Sequence, residues 1–251
     1  MGTEYFDIEA TFGDDYLWFY EEFLTEERSQ LDTDEIISLL GLSEPASILD
    51  APCGHGRISN RLASSGHQVS GVDLSSLFLD RARHDAQALG VEVDYRRGDL
   101  RSLPVDGPFD AVVCWFTSFG YFDDAGNIEV LQEFARVLRP GGVLLIEGLN
   151  HDGFVRNFTP APAASVVEKG DDLLADVTSF NPIAGRLETE RTVRRSGAVR
   201  RLNYSVRLPT VPELDAWLAA AGFDLRKYCG RSGEPLTHDT WRQVTLATKQ
   251  A

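Results

Sequence analysis

The chain has 251 residues, enough to bury one large core with an appended cover. Hydrophobic residues at 43% and charged residues at 25% are those of an ordinary globule. The net charge of −15 argues against a nucleic-acid acceptor, because phosphate binding needs a basic surface.

From the amino end, Asp14–Leu24 is aromatic and reads as a helix. Asp32 or Thr33 can cap a second helix that runs through Leu40 and closes at Gly41. Ser47–Asp50 is a first strand, followed by a glycine-bearing turn and a helix from His55 to Ser65. Gln68–Asp73 is a second strand; Ser75 caps a helix to Leu89, which Gly90 stops. Val91–Arg96 is a third strand and Phe109–Phe116 a fourth, the latter a short apolar run of the kind buried in parallel sheets. Asn127–Leu138 has helical spacing, Pro140-Gly141-Gly142 breaks it, and Val143–Glu147 is a fifth strand. This βαβα alternation predicts a doubly wound, parallel α/β sheet.

The pattern then changes. Ala164–Glu168, Leu173–Phe180, Arg186–Arg195 and Val199–Leu208 alternate with a period of two, with turn signals between them. They predict an antiparallel meander covering the ligand edge of the sheet. The arginines Arg191, Arg194, Arg195, Arg200 and Arg201 read as a solvated strand face. Pro212–Ala221 is a helix, and Phe223–Cys229 with Trp241–Thr248 reads as a closing hairpin. The expected division is a single domain over 1–251: a helical lid at 1–42, a cofactor-binding core at 43–150, a covering insertion at 151–210 and the closing helix and strands at 211–251.

Cys53, Cys114 and Cys229 are odd in number and far apart, which fits reduced thiols and a cytoplasmic location. The five histidines show no paired ligand spacing, so no metal is expected. Met1–Ala10 carries acids and no long apolar run, and no segment approaches the roughly 20 apolar residues of a membrane span. Neither a signal peptide nor a membrane partner is expected, and the oligomeric state stays open.

Three acids close three successive predicted strands: Asp50, Asp73 and Asp99. Open parallel sheets bind nucleoside ligands at such an edge. The Gly54-x-Gly56 turn lets a ligand approach the backbone, and Asp73 can take both ribose hydroxyls. Asp99 can accept from an exocyclic purine amine, with Leu74 and Leu100 about a flat base. A dinucleotide fits less well. The third glycine of that fingerprint is replaced by Ser59, Asp50 would face a pyrophosphate, and Asp99 has no role.

Asp50-x-x-Cys53-Gly54-x-Gly56, Gly71-Val72-Asp73, Gly98-Asp99-Leu100 and Leu138-Arg139-Pro140-Gly141-Gly142 resemble, in order, the motifs of class I S-adenosylmethionine-dependent methyltransferases. Thr11–Leu17, Phe116–Phe122 and Leu208–Phe223 look like the bacterial small-molecule branch, which includes N-methyltransferases of amino sugars and antibiotics. The resemblance implies a Rossmann-like, mostly parallel seven-stranded sheet with an antiparallel carboxyl-terminal hairpin and an inserted β-meander lid. It implies S-adenosylmethionine as cofactor, S-adenosylhomocysteine as product, and a small-molecule acceptor. Tyr16, Asp50, Ala51, Cys53, Gly54, Gly56, Arg57, Asp73, Leu74, Asp99, Leu100, Trp115 and Phe116 are the expected cofactor positions; the resemblance itself carries the cofactor at Asp50, Gly54, Gly56, Asp73 and Asp99, and Tyr16 resembles a lid position that reaches the cofactor's methionine end. Pro52 stands where many members have glycine or alanine. No Asn-Pro-Pro-Tyr-type sequence follows the fourth strand, which departs from the nucleic-acid amino-methylating branches.

Methyl transfer is an in-line displacement, and an amine acceptor must arrive unprotonated. Candidate bases are His151, Tyr121, Tyr16 and Tyr5. Phe119, Tyr121, His151, Asn150, Arg156 and His238 are candidate acceptor contacts; Phe119 could equally be core, and His151 a solvent-facing loop residue. Arg57 either pairs with the cofactor carboxylate or salt-bridges locally. His55 is expected as an exposed ring on its loop. An amine is the leading acceptor. O- or C-methylation is the nearest alternative, and a cofactor-binding protein without turnover is the alternative from another class.

Overall fold

The computed structural model describes residues 7–42, 45–157 and 162–251. Seven strands form one sheet: β1 (Ser47–Asp50), β2 (Gln68–Asp73), β3 (Val93–Arg97), β4 (Phe109–Cys114), β5 (Leu138–Leu149), β10 (Phe223–Cys229) and β11 (Arg242–Lys249). Their order is β10-β11-β5-β4-β1-β2-β3, parallel except for β11, which runs antiparallel to both β5 and β10. Strand order reverses between β1 and β4, so a crevice opens at their carboxyl ends. The α/β architecture expected from the alternation is the one observed.

Burial on both faces explains the unbroken apolar strands. Leu49, Val112 and Leu144 pack to one side with Leu131 and Phe134 of α6 (Asp124–Val137) and Leu214 and Leu218 of α8 (Val211–Ala220). Their strand neighbours Ile48, Val113 and Leu145 pack to the other, with Ile36 of α3 (Glu26–Leu40) and Leu62 of α4 (Ser59–Ser64). Each such side chain contributes roughly 1.5–3 kcal/mol when buried.

Local signals place most boundaries. Ser75 accepts from the Phe78 N–H at the start of α5 (Ser76–Leu89), and Gly41 and Gly90 close α3 and α5 in the left-handed conformation. Thr210 and Glu213 form a reciprocal capping box on α8. Several expectations are corrected. Helix α3 starts at Glu26 with Thr25 as its cap, and Asp32 and Thr33 lie buried in its interior. Asp32 is held there by ion pairs to Arg28, Arg57 and Arg231, which sequence spacing does not reveal. Helix α4 begins only at Ser59, because residues 51–58 are consumed by turns. Strand β5 runs straight through Pro140-Gly141-Gly142, absorbing it as an irregularity in its pairing with β4. Two short helices were unforeseen: α1 (Ile8–Thr11) and α7 (His151–Asn157).

The meander is a separate antiparallel sheet of β6 (Ala163–Lys169), β7 (Asp172–Asn181), β8 (Arg186–Arg195) and β9 (Ala198–Arg207). It is tied to the loop after β4. The Arg207 N–H donates to the Gly120 carbonyl at 2.7 Å, and the Arg186 guanidinium donates to the Phe122 carbonyl at 2.8 Å. Helix α2 (Asp14–Tyr20) docks on its inner face. There Phe19 packs with Leu174 and Val193, and the Trp18 ring lies 4.3 Å from Lys169 Nζ and 4.8 Å from the Arg195 guanidinium. The arginine run is therefore not a plain solvated face. Arg195 and Arg200 pair with Asp14 and Asp15 of α2, and Arg191 is buried against Asp176.

Candidate active site

One cavity lies over the carboxyl ends of β1, β2 and β4, closed from above by α1, α2 and the loop after β4. Its empty space, counting the solvent-open mouth, is about 1130 Å³. Asp50, Cys53, Gly54, Arg57, Asp73, Leu74, Asp99, Leu100, Trp115, Phe116, Tyr16 and Tyr121 all line it. The fold thus brings together residues spread over most of the first half of the chain.

Asp73, the last residue of β2, accepts the Gly54 N–H at 2.8 Å and the Ser75 N–H at 2.8 Å. The carboxylate is thereby fixed between the turn after β1 and the start of α5. Asp50, the last residue of β1, is 1% exposed and accepts the Ser59 hydroxyl at 2.5 Å. Burial pushes its pKa up to about 7, against the pull of Ser59 and Arg57. Asp99 lies just past β3, where Arg101 forks it, with Nη2 2.6 Å from Oδ2. Burial alone would raise the Asp99 pKa, but the Arg101 hydrogen bonds overrule it and hold the carboxyl below its usual range. A purine amine at Asp99 must share the carboxylate with Arg101.

The two glycines of the turn separate in role. A Cβ on Gly54 would meet nothing within 4 Å, so that glycine opens onto space. A Cβ on Gly56 would lie 2.4 Å from the Tyr95 hydroxyl and 2.7 Å from Ala82 Cβ. Gly56 does not line the cavity; it lets α4, α5 and β3 close together. Ala51, fully buried, belongs to the core rather than the cavity. Arg57 takes the local alternative: its guanidinium donates to Asp32 at 2.6 Å and lies 5.0 Å above the Phe116 ring.

The lid side is aromatic. Phe12 stands edge-on to Tyr16 and Tyr121, both at 5.4 Å between ring centroids, and 6.4 Å from Tyr204 of the meander. Tyr16 stacks on Tyr20 at 4.6 Å. Burial raises the pKa of Tyr16 and Tyr121 well above that of an ordinary phenol, so both stay protonated near neutrality. In that form each phenol can orient a ligand by hydrogen bonding. Burial pushes the Tyr204 pKa up to about 12.

Four expected acceptor contacts lie elsewhere. Asn150 donates to the Thr237 and Thr240 carbonyls at 2.8 and 2.7 Å, and Arg156 pairs with Asp239 at 2.7 Å. His151 lies beside Asp152 and 5.8 Å from the Phe180 ring, and His238 is 62% exposed near Asp239. The cause is α7, which docks the chain after β5 onto the loop between β10 and β11. Phe119 takes its packing alternative, in the core with Leu131 and Phe134. Tyr5 lies outside the described residues.

Sequence reasoning missed Ile8, Phe12, Phe78, Ser118 and Phe122 as lining residues. It also placed His55 in solvent. The ring is partly buried beside Phe78 at 6.2 Å, and burial lowers its pKa to about 4, so it is neutral at physiological pH. Among the described residues no group of three or more His, Cys, Asp or Glu is arranged to hold a metal, and no helix is long and apolar enough to cross a membrane.

A nucleoside cofactor fits this cavity. Asp73 is anchored by backbone amides, the space at Gly54 is open, and the apolar side chains Leu74 and Leu100 lie next to Asp73 and Asp99. Comparison with known proteins agrees. Residues 48–142 match a family described as a methyltransferase domain. The demethylmenaquinone methyltransferase of Thermus thermophilus is 35% identical over 189 residues, covering 72% of this chain and 76% of that protein. A dTDP-3-amino-3,6-dideoxy-alpha-D-glucopyranose N,N-dimethyltransferase of Streptomyces fradiae is 33% identical over 135 residues, 53% of this chain and 50% of that one. The chain thus spans about half the length of some relatives it matches. The CcbJ methyltransferase of Streptomyces caelestis superposes with a TM-score of 0.79 at 22% identity, covering 96% and 98% of the two chains.

Proposed function

Since the chain belongs to the class I S-adenosylmethionine-dependent methyltransferases, we propose that it methylates an amine nitrogen of a small molecule of the amino-sugar or amino-acid kind. The observation that carries this reading is the two-sided cavity: three aspartates on the strand ends, and Phe12, Tyr16, Tyr121 and Phe122 on the side of the lid and the loop after β4. Aromatic faces attract cations, here the sulfonium of the donor and the ammonium formed when a neutral amine takes the methyl group. The similarity to a sugar N,N-dimethyltransferase supports the same acceptor class.

S-adenosylmethionine, when bound, supplies a methyl group already activated on a sulfonium. The chain's own task is alignment, for which orientation can supply about 7–11 kcal/mol, and exclusion of water. In this reading Asp73 takes the ribose hydroxyls, Asp99 and Arg101 meet the purine edge, and Leu74 and Leu100 contact the base. Gly54 admits the ligand to the backbone, while Trp115 and Phe116 form the wall between nucleoside and acceptor. Tyr16 and Tyr121 orient the acceptor as hydrogen-bonding phenols. The acceptor therefore enters as the neutral amine, its proton already lost to solvent.

The test is incubation with methyl-labelled S-adenosylmethionine and a panel of amino sugars and amino acids, alongside matched alcohols and phenols. Label on nitrogen is the expected product. Label found only on oxygen or carbon overturns the amine reading and leaves methyl transfer standing.

A further inference from the structure

Glu147 is fully buried near the end of β5 and does not line the cavity, yet it holds a part of the cavity wall. Immediately after β4, Phe116 and Thr117 sit consecutively at φ of 67° and 56°. The left-handed region is disfavoured for side chains of both kinds, most of all for β-branched threonine. Glu147 and its partner supply what the turn needs. The Phe116 N–H donates to Glu147 Oε2 at 2.9 Å, and the Thr117 N–H donates to the Glu147 main-chain carbonyl at 3.1 Å. Arg242 forks the Glu147 carboxylate, with Nη2 2.6 Å from Oε2, and the same Nη2 donates to Thr117 Oγ1 at 2.8 Å. Arg242 can reach both because β11 runs antiparallel beside β5, with Val244 opposite Glu147 and Arg242 opposite Leu149.

An ion pair in this place is not needed for packing, since well-packed apolar residues often serve a core as well. Apolar residues could not accept the Phe116 amide and also donate to the Thr117 hydroxyl. The residues whose position depends on this turn, Trp115, Phe116 and Ser118, all line the cavity. We propose that Glu147 and Arg242 are positioning residues: they hold the Phe116–Thr117 turn left-handed and thereby set the cavity wall against which the cofactor rests. The inference rests on the cavity being the cofactor site.

The test is calorimetric titration with S-adenosylhomocysteine. Arg242→Lys keeps a positive charge but loses the planar fork. Its Kd is expected to rise about tenfold, and glycine, which adopts positive φ at no steric cost, makes a specific rescue available. Adding Thr117→Gly to Arg242→Lys should bring the Kd back to within about threefold of wild type, although it deletes a further contact. A pair that only supports the core gives two losses that add. An Arg242→Lys Kd within about twofold of wild type, or additive losses in the double variant, overturns the proposal. If Arg242→Lys does not fold, Thr117→Val carries the test, because it removes only the hydroxyl that Arg242 holds; its Kd should rise at least about threefold, and an unchanged Kd is the overturning result. Asp73→Ala, titrated alongside, separates the two claims: wild-type affinity in that variant removes the site assignment itself.

Discussion

Asp176 of β7 and Arg191 of β8 face each other across the meander as a forked, buried ion pair, Nε to Oδ1 at 2.8 Å and Nη2 to Oδ2 at 2.7 Å. Arg191 also donates to the Thr11 carbonyl at 3.4 Å and to the Tyr204 hydroxyl at 3.2 Å. The pair therefore joins the lid to the meander beneath the aromatic cluster. Removing one partner strands the other charge in the interior, which typically costs about 3–5 kcal/mol. Asp176→Ala should lower unfolding stability by that order, whereas the paired replacement Asp176→Leu with Arg191→Met should recover most of it. Urea unfolding checks this. Equal losses in the single and paired variants would show that packing, and not the stranded charge, sets the cost.

The glycines of the turn after β1 should separate packing from ligand access. Gly56→Ala drives a methyl into Tyr95 and Ala82 at a φ of 79°, a combined cost of at least about 2 kcal/mol. Gly54→Ala meets no neighbour and carries only the left-handed strain of about 1–2 kcal/mol. The expected result is a larger fall in stability for Gly56→Ala, and a larger relative loss of S-adenosylhomocysteine affinity than of stability for Gly54→Ala. Identical profiles for the two variants would contradict the distinction.

Asp50 makes ligand-free stability depend on pH. Its pKa is raised from 3.8 to about 7 by burial, so the native state binds the proton more tightly than the unfolded chain. The resulting stabilisation is complete below the unfolded pKa and is lost as pH rises through about 7. Wild type should lose more stability than Asp50→Asn between about pH 5 and pH 8, measured by denaturant titration. A parallel pH dependence in the two proteins would remove Asp50 from this role.

The same carboxyl group reads the charge of the ligand. A cation held in the cavity favours the ionised form. Binding of S-adenosylmethionine near pH 7 should therefore release a proton, visible as a dependence of binding heat on buffer ionisation enthalpy. S-adenosylhomocysteine, which lacks the sulfonium, should release less. Equal release by both would sink the idea.

Much of the fold was legible because its signals are local. The meander strands fall within two residues of the alternating runs, and Ser75, Gly41 and Gly90 mark helix ends through their own backbone chemistry. The strand-end acids Asp50, Asp73 and Asp99 could be read as neighbours because a parallel sheet brings successive carboxyl ends to one edge. What stayed hidden depends on contacts distant in sequence. Thr25 could not be preferred over Asp32 as a cap without knowing that Asp32 gathers Arg28, Arg57 and Arg231. His151, Asn150 and Arg156 look like cavity residues because they follow β5, but Asn150 and Arg156 bond to residues 237–240 and His151 lies beside Asp152 and Phe180. Gly56 has the spacing of a ligand-approach glycine, and only the Tyr95 hydroxyl pressed against it reveals a packing role.

Asp73, at the end of β2, is the group expected to grip the cofactor. Calorimetric titration of S-adenosylhomocysteine into wild type, Asp73→Ala and His151→Ala measures this directly. The expected result is a Kd at least about tenfold weaker for Asp73→Ala and one within about twofold of wild type for His151→Ala. Wild-type affinity in Asp73→Ala, or a greater loss in His151→Ala, would contradict it.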